Sequence, residues 1–158
     1  VLSISGTTVT AGTPAVFESA STSYTSVAAL DSSRAVVTYQ DNGNSYYGTA
    51  CVLSISGTTV TAGTPAVFES ASTSYTSVAA LDSSRAVVTY QDNGNSYYGT
   101  ACVLSISGTT VTAGTPVVFK SATTNYISVA VLDSSRAVVT YQDAGNSNYG
   151  TACVLSNM

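Results

Sequence analysis

The stretch SVAALDSSRAVVTYQDNGNSYYGTACVLSISG, Ser26–Gly57, decides the fold, because it sets apolar runs between turn residues and returns unchanged at Ser77–Gly108. The run YTSVAALD (Tyr24–Asp31) begins two residues before this stretch, and RAVVTYQD (Arg34–Asp41) follows it. Only two serines separate these β-branched-rich runs. Two such runs joined by so short a polar link predict a β-hairpin.

Two further strands follow the hairpin. YYGTACVLSIS (Tyr46–Ser56) predicts a third strand, after a loop of Asp, Asn, Gly and Ser. GTTVTAGTPAVFE (Gly57–Glu69) predicts a fourth, which Gly63 and Pro65 break or bend. Helix signals are absent, so we expect an all-β fold with about four antiparallel strands in each repeating unit.

The chain of 158 residues is a tandem repeat. Val1–Cys51 and Val52–Cys102 are identical, Val103–Cys153 is an edited copy, and Val154–Met158 begins a fourth. We therefore interpret residues 1–158 as a single repeat domain with units 1–51, 52–102, 103–153 and a partial unit 154–158. The edited positions are Ala66/Val117, Glu69/Lys120, Ser72/Thr123, Ser74/Asn125, Thr76/Ile127, Ala80/Val131, Asn93/Ala144 and Tyr97/Asn148.

Composition excludes several classes of function. Apolar residues make up 44% of the chain, enough for a core, while charged residues make up only 8% and the net charge is −4. Four basic residues argue against nucleic acid as a partner, because its phosphates need clustered Lys and Arg. No apolar run approaches the ~20 residues that span a bilayer, and no secretory signal is visible within the sequence.

The pattern of apolar residues selects among all-β folds. In AVVTY (Ala35–Tyr39) and SVAAL (Ser26–Leu30), apolar side chains fall at both odd and even positions. Strands with this pattern are buried on both faces. Small antiparallel sheets covered on both faces are typical of β-propellers, in which each blade packs between two neighbours.

In SVAALDSSRAVVTYQD (residues 26–41) followed by GNSYYGTA (residues 43–50), the unit resembles a β-propeller blade. It carries neither the WD dipeptide, the kelch glycines nor the Asp-box, and it shares with RCC1-type repeats only its length and the letters SVA. The resemblance implies an architecture and no activity. The alternative fold is a β-trefoil, whose usual Gln-x-Trp cue is missing because the chain has no Trp.

The phase of the repeats predicts self-association. Propellers close with about 4–8 blades, so three units cannot close alone. The sequence starts inside a third strand, at VLSISG (Val1–Gly6), and ends inside another, at VLS (Val154–Ser156). We expect these ends to complete one another head-to-tail between chains, giving a closed dimer of six blades, a larger ring or a filament.

The loop Asp41–Ser45 is the first candidate site, because its oxygen ligands are of the kind that Ca²⁺ binds. It lacks the further acidic positions and the distant Glu of a calcium loop. Asn-Gly between two strands favours a turn instead, since Asn and Gly tolerate φ > 0, and we expect Asp41 and Asn44 to bond nearby amides. Because Ala144 replaces the Asn in the third unit, the Asn-Gly signal is not essential, and we expect a loop longer than a two-residue turn. We therefore expect neither a metal nor a cofactor.

Tyrosines near this loop could stack on sugars in pockets between blades, which makes glycans the alternative partner. The third unit replaces the first tyrosine of the Tyr46–Tyr47 pair and keeps the second, so we expect the first exposed and the second packed. The candidate ligand-binding residues are Tyr24, Asn44, Tyr47, Tyr75, Asn95, Tyr98, Tyr126, Asn146 and Tyr149.

Charged residues and cysteines have simpler interpretations. Asp31 and Arg34 are predicted to pair across the first hairpin, as a turn cap and a surface arginine. Because Glu18 and Glu69 become Lys120, we expect that position to be solvated surface. One Cys per unit follows Thr-Ala, and we expect Cys51, Cys102 and Cys153 to be free, buried thiols, because equivalent positions in neighbouring sheets lie about 10 Å apart.

The sequence contains no His, and therefore no imidazole base or metal ligand, so we do not expect an enzyme. We predict a non-catalytic, structural, self-assembling β-propeller repeat protein, with a multivalent carbohydrate-binding propeller as the alternative. Richness in Ser and Thr with little charge favours an extracellular or cell-surface location.

Overall fold

A computed structural model describes the whole chain, Val1–Met158, as an all-β protein of thirteen strands with one short 3-10 turn at Ala144–Asn146. It contains no helix that is long and apolar enough to cross a membrane. The strands are β1 Leu2–Ser5, β2 Thr8–Ala11, β3 Thr22–Ala29, β4 Arg34–Asp41, β5 Tyr47–Ser56, β6 Thr59–Ala62, β7 Ala66–Asp82, β8 Arg85–Asp92, β9 Tyr98–Ser107, β10 Thr110–Ala113, β11 Val117–Asp133, β12 Arg136–Asp143 and β13 Tyr149–Ser156.

All strand pairs are antiparallel, and eleven strands form one continuous sheet. Its main path runs in the order β13-β12-β11-β9-β8-β7-β5-β4-β3, with β6 added to β5 and β10 added to β9. The strands β1 and β2 form a separate hairpin. The two end strands, β3 and β13, do not pair with each other, so this path is open, unlike the closed barrel of a β-trefoil.

The predicted strands lie where the apolar runs are. The strand β4 spans the whole of RAVVTYQD and pairs with β3, which confirms the predicted hairpin. The predicted break in the fourth strand is also confirmed, because β6 ends at Ala62 and β7 begins at Ala66, on either side of Gly63 and Pro65. Pro cannot donate a ladder hydrogen bond, and it is therefore found at such interruptions.

In the structure, a repeat is counted from one hairpin to the next, so that residues 22–72 form the first structural repeat, residues 73–123 the second and residues 124–158 the third. Counted in this way, each of the two longest strands belongs to two structural repeats. Residues 66–72 of β7 pair with β5, whereas residues 73–82 pair with β8. The register shifts between Ser74 and Ser77, and Tyr75 in this irregularity has a φ of +52°. The strand β11 repeats this arrangement between β9 and β12. A β-bulge of this kind bends a strand, and here it leads the chain from the end of one repeat into the next.

The core lies in and between the repeats. Seven of the eight residues in each of β4 and β8 are buried, which confirms that the AVVTY run is covered on both faces. The same prediction for SVAAL (Ser26–Leu30) was wrong in β3, where Val27 is 62% exposed, because no strand packs over that face. The largest cluster joins Val36 of β4 and Val52 of β5 to Leu104, Ile106 and Val111 of β9 and β10, which follow 51 or more residues later. Apolar burial of this kind stabilises the junction between repeats as well as each repeat.

Candidate functional site

The contacts that join one repeat to the next are the most distinctive feature of the molecule, and a row of tyrosines is the first of them. The ring centroids of Tyr24 and Tyr75 lie 5.2 Å apart, and those of Tyr75 and Tyr126 also lie 5.2 Å apart. This spacing is that of rings in direct contact. The structure therefore brings three predicted site residues together, but each ring packs against the next at a tilt of 51° or 55°. Only the outer rings are open, since Tyr24 is 43% exposed and Tyr126 is 69% exposed.

The loop after β4 is longer than a two-residue turn, as the third unit predicted. It has five residues between Asp41 and Tyr47, and the positive φ values belong to Ser45 (+55°) and Tyr46 (+63°). The Asn42-Gly43 pair is therefore not the left-handed part of the turn. Gly43 is needed for space instead, because a β-carbon there would lie 2.5 Å from the β-carbon of Ala20.

Asp41 closes this loop and is nearly buried, at 8% exposure. Its Oδ1 atom accepts hydrogen bonds from the amides of Gly43 (2.9 Å) and Asn44 (3.2 Å), which is the capping role that the sequence predicted. Asn44 bonds through its main-chain carbonyl, which accepts from the Tyr47 amide over 3.0 Å. The chain holds no group of three or more His, Cys, Asp or Glu side chains that could bind a metal ion.

The remaining predicted site residues lie at the loop and at the start of the strand that follows it. The three asparagines are exposed at the loop. Tyr46 and Tyr97 are about half exposed, as predicted for the first tyrosine of the pair. Tyr47 and Tyr98 are partly buried, but Tyr149 is 63% exposed, so its predicted packing is wrong. The asparagines are Asn44, Asn95 and Asn146.

Arginine links the repeats in a way that the sequence did not suggest. The predicted ion pair is present, with 2.8 Å between Arg34 Nη2 and Asp31 Oδ2. The same guanidinium also donates to the carbonyls of Ser83 (2.9 Å) and Gly108 (3.0 Å), which both lie in the second structural repeat, residues 73–123. The hairpin turn and the arginine hold the pKa of Asp31 at about 2, chiefly through the Ser33 amide and then through Arg34. The interpretation as a plain surface arginine was therefore incomplete.

The fourth strand of a structural repeat is held against the next repeat by an aromatic pair and a charged side chain. The rings of Phe68 and Tyr90 lie 5.2 Å apart, and the Tyr90 hydroxyl donates to Glu69 over 3.0 Å. Burial and then the nearby Glu69 raise the pKa of Tyr90. The equivalent residue Lys120 lies 2.6 Å from the buried carboxylate of Asp143. The position predicted to be solvated is partly exposed, and each charge there also has a specific partner that the sequence did not indicate.

The cysteines lie at the same junction between repeats. All three are free, as predicted. The thiol of Cys51 donates to the carbonyl of Gly63 over 3.3 Å, and that of Cys102 donates to Gly114 over 3.3 Å. Cys153 is only partly buried, so its predicted full burial is wrong, because no residue of the chain takes the place of Gly63 beside it. Burial raises the pKa of all three thiols.

The N-terminal end of the molecule contains a strand segment without a strand partner. Residues 15–21 have the same sequence as residues 66–72, but only the second segment forms a strand. The first is nevertheless held in the corresponding place, because the rings of Phe17 and Tyr39 lie 5.3 Å apart and the Tyr39 hydroxyl donates to Glu18 over 3.2 Å. What residues 15–21 lack is a third strand beside them.

The C-terminal end has the opposite defect. The strand β13 pairs with β12 on one side only, whereas the equivalent strand β5 pairs with β4 and also with residues 66–72. At Gly48, a β-carbon would lie 2.4 Å from the ring of Phe68, but Gly150 has nothing within 4 Å. The two ends are therefore complementary, because each lacks the element that the other presents.

The complementary end faces agree with the expectation drawn from the phase of the repeats, since identical repeats repeat their contacts every 51 residues. The arginine bridges had no local signal, because their acceptors are main-chain carbonyls. Comparison of the chain with protein-family models and with curated proteins found no match.

Proposed function

We propose that this chain is a non-catalytic structural protein built of β-propeller blades, which assembles head-to-tail with copies of itself. The proposal rests on one observation, namely that the same seven-residue sequence forms a strand in one place and does not form one in another. Residues 66–72 form a strand because β5 lies beside them, and residues 15–21 do not form one, although Phe17 and Glu18 are already in place. A second copy that presents its β13 edge supplies the missing neighbour.

The internal pairs define the register of this contact. Ala50 pairs with Ala66 and Thr49 pairs with Val67 between β5 and β7. The equivalent pairs between two chains are Ala152 with Ala15 and Thr151 with Val16. Addition of a strand to an open sheet edge supplies main-chain hydrogen bonds and is a common mode of association. Val16 is 81% exposed in the single chain, which fits a residue whose partner is absent.

A head-to-tail contact of this kind is heterologous, so its repetition produces a ring if the rotation closes and a filament if it does not. With three blades per chain, two chains supply six, which is within the range of about 4–8 blades in closed propellers. We therefore propose a ring of two chains as the first expected product, with a larger ring or a filament as the alternatives.

A disulfide trap tests the proposal. Val16→Cys and Thr151→Cys are introduced together after Cys51, Cys102 and Cys153 are replaced by Ala. Facing residues on antiparallel strands lie about 4.5–5.5 Å apart at Cα, within disulfide reach. We expect mild oxidation to give covalent dimers and longer species on a denaturing gel. A matched variant with Val16→Cys and Ser134→Cys should give none, because Ser134 lies in the exposed β11–β12 turn.

Two results would contradict the proposal. In one, the Thr151 pair cross-links no better than the Ser134 pair. In the other, the disulfide forms within one chain, which means that the three repeats close on themselves.

Carbohydrate binding is the second candidate, and the exposed outer rings of the tyrosine row favour it. Aromatic faces of this kind stack on sugar rings, and repeated weak sites gain avidity. A glycan array with the wild-type chain and a Tyr126→Ala variant tests it. Loss of a bound glycan in the variant supports this candidate, and the absence of any bound glycan contradicts it. The extracellular or cell-surface location stays an expectation from composition.

A further inference from the structure

An apolar cavity of about 620 Å³ lies at the C-terminal end, between the second and third repeats. Arg85 is at its margin, and valines and an aromatic ring form its wall. A cavity of this size and lining is as large as many ligand pockets. The apolar residues that line it include Val87, Val103, Val117, Phe119, Leu155 and Met158.

The equivalent place one repeat earlier is full. Val36, Val52, Ala66 and Phe68 stand 51 residues before Val87, Val103, Val117 and Phe119, and they contact the hairpin of β9 and β10. Three side chains of that hairpin enter the cluster, namely Leu104 (0% exposed), Ile106 (5%) and Val111 (7%). On its opposite face Ser105, Ser107, Thr110 and Thr112 are exposed. One face of this hairpin is thus the natural filling of the cavity.

A hairpin of the same sequence, formed by β1 and β2, lies at the N-terminal end of the chain with nothing packed on its apolar face. Residues 1–12 have the same sequence as residues 103–114. They also have the same closure, since the Gly12 amide donates to the Val1 carbonyl over 2.7 Å and the Gly114 amide to the Val103 carbonyl over 2.8 Å. The apolar face of β1 and β2 is bare, with Leu2 66%, Ile4 73% and Val9 58% exposed.

We propose that the cavity receives the β1–β2 hairpin of a second copy of this chain, with Leu2, Ile4 and Val9 in the positions that Leu104, Ile106 and Val111 take internally. This inference rests on the proposed head-to-tail assembly and locates its main apolar contact. The occupant is fixed by the identity of the two hairpins and by the equivalence of the two receiving surfaces.

The docked hairpin competes with the end of the chain that receives it. Residues 154–156 have the same sequence as residues 1–3, and both would pair with β12. The strand β9 continues past this point, with the Ile106 amide donating to the Ser84 carbonyl over 2.8 Å. In contrast, β13 ends at Ser156 and Asn157 has a φ of +61°. Since Ile4 fills the apolar position that Asn157 cannot, residues 1–5 of the incoming copy displace residues 154–158.

Paired variants of the full chain test this docking. Ile4→Asp with Val9→Asp changes the apolar face of the hairpin, and Ser3→Asp with Thr10→Asp changes the opposite face by the same charge. All four residues are exposed in the single chain, so both variants should keep its melting temperature. In sedimentation at a series of concentrations, we expect the first variant to raise the dissociation constant roughly 100-fold or more, and the second less than about tenfold.

The outcomes separate this inference from the proposal beneath it. If the wild-type chain is monomeric at every concentration, the proposed assembly fails and the docking fails with it. If the wild type assembles and both variants assemble equally well, the edge-strand contact stands and the docking is overturned. Carboxypeptidase should remove Met158 and Asn157 faster from assembled wild type than from the Ile4→Asp, Val9→Asp variant. Equal rates would overturn the displacement of residues 154–158.

Discussion

Gly99 lies against the ring of Phe119, so closely that a β-carbon on the glycine would stand 2.6 Å from Cε2 and 2.7 Å from Cζ. Gly48 has the same relation to Phe68, at 2.4 Å. Gly150 occupies the same repeat position but has open space around it. Glycine is therefore required where the next segment of chain covers the third strand, and the requirement disappears where that segment is missing.

This relation predicts different effects of one substitution at two equivalent positions. Gly99→Ala should lower the free energy of unfolding by about 1–3 kcal/mol, because the methyl group must push the ring of Phe119 aside. Gly150→Ala should change it by less than about 0.5 kcal/mol in the single chain. Urea denaturation at low protein concentration measures both values, and equal losses at the two positions would contradict the packing described.

A second prediction concerns the left-handed residue of the loop. Tyr97 has a φ of +62°, and its equivalent Asn148 has the same value. Asn adopts this conformation more easily than Tyr, so Tyr97→Asn should raise the free energy of unfolding by about 0.5–1 kcal/mol. The reverse change, Asn148→Tyr, should lower it by a similar amount. Thermal or chemical denaturation checks the pair, and a change of the same sign in both would count against the assigned turn.

A third prediction concerns acid stability. Hydrogen bonds from the following turn, with the adjacent arginine, hold the pKa values of Asp31, Asp82 and Asp133 at about 2, below the ordinary value of 3.8. A carboxyl with a lowered folded-state pKa contributes stability that is present above pH ~4 and is lost as the pH falls towards 2. The melting temperature should therefore fall over this range.

The matched variant replaces all three of these residues with Asn. Its melting temperature should depend less on pH between about 4 and 2 than that of the wild type, while both proteins still titrate their other carboxyls. Parallel curves for the two proteins over this range would show that the three turns carry no pH-dependent stability.

A fourth prediction uses the native thiols. Cys51 and Cys102 are buried and donate to the carbonyls of Gly63 and Gly114, whereas Cys153 is only partly buried and has no such partner. In the single chain, Cys153 should react with a thiol reagent at least ~10-fold faster than the other two. Assembly should protect it, because Gly12 of a second copy takes the place that Gly63 has beside Cys51. Three thiols with one common rate would contradict the difference between the repeats.

The sequence predicted the elements whose surroundings are supplied by their own repeat. The run Arg34–Asp41 is a strand over its full length because it has neighbours on both sides within the unit. The fourth strand broke where Gly63 and Pro65 stand. The loop is longer than a two-residue turn, as predicted, but its left-handed residues, Ser45 and Tyr46, had no local signal. Gly43 is required by the close approach of Ala20.

A repeat sequence alone does not predict how identical copies differ in structure. Residues 15–21 and 66–72 are identical in sequence, and no local propensity can make one a strand and leave the other without one. Tyr149 and Cys153 were expected to be packed for the same reason and are not. Tertiary partners decide these cases, and the partners are missing at the two ends.

The mass of the native chain in solution tests the central claim most directly. We predict that native mass spectrometry and light scattering of the wild-type chain show assemblies, first of all a species of twice the 16.0 kDa chain mass. Gly150→Ala, which places a methyl group where Phe17 of a second copy should lie, should fold equally well and stay monomeric. A wild-type chain that is a stable monomer at all accessible concentrations would contradict the account.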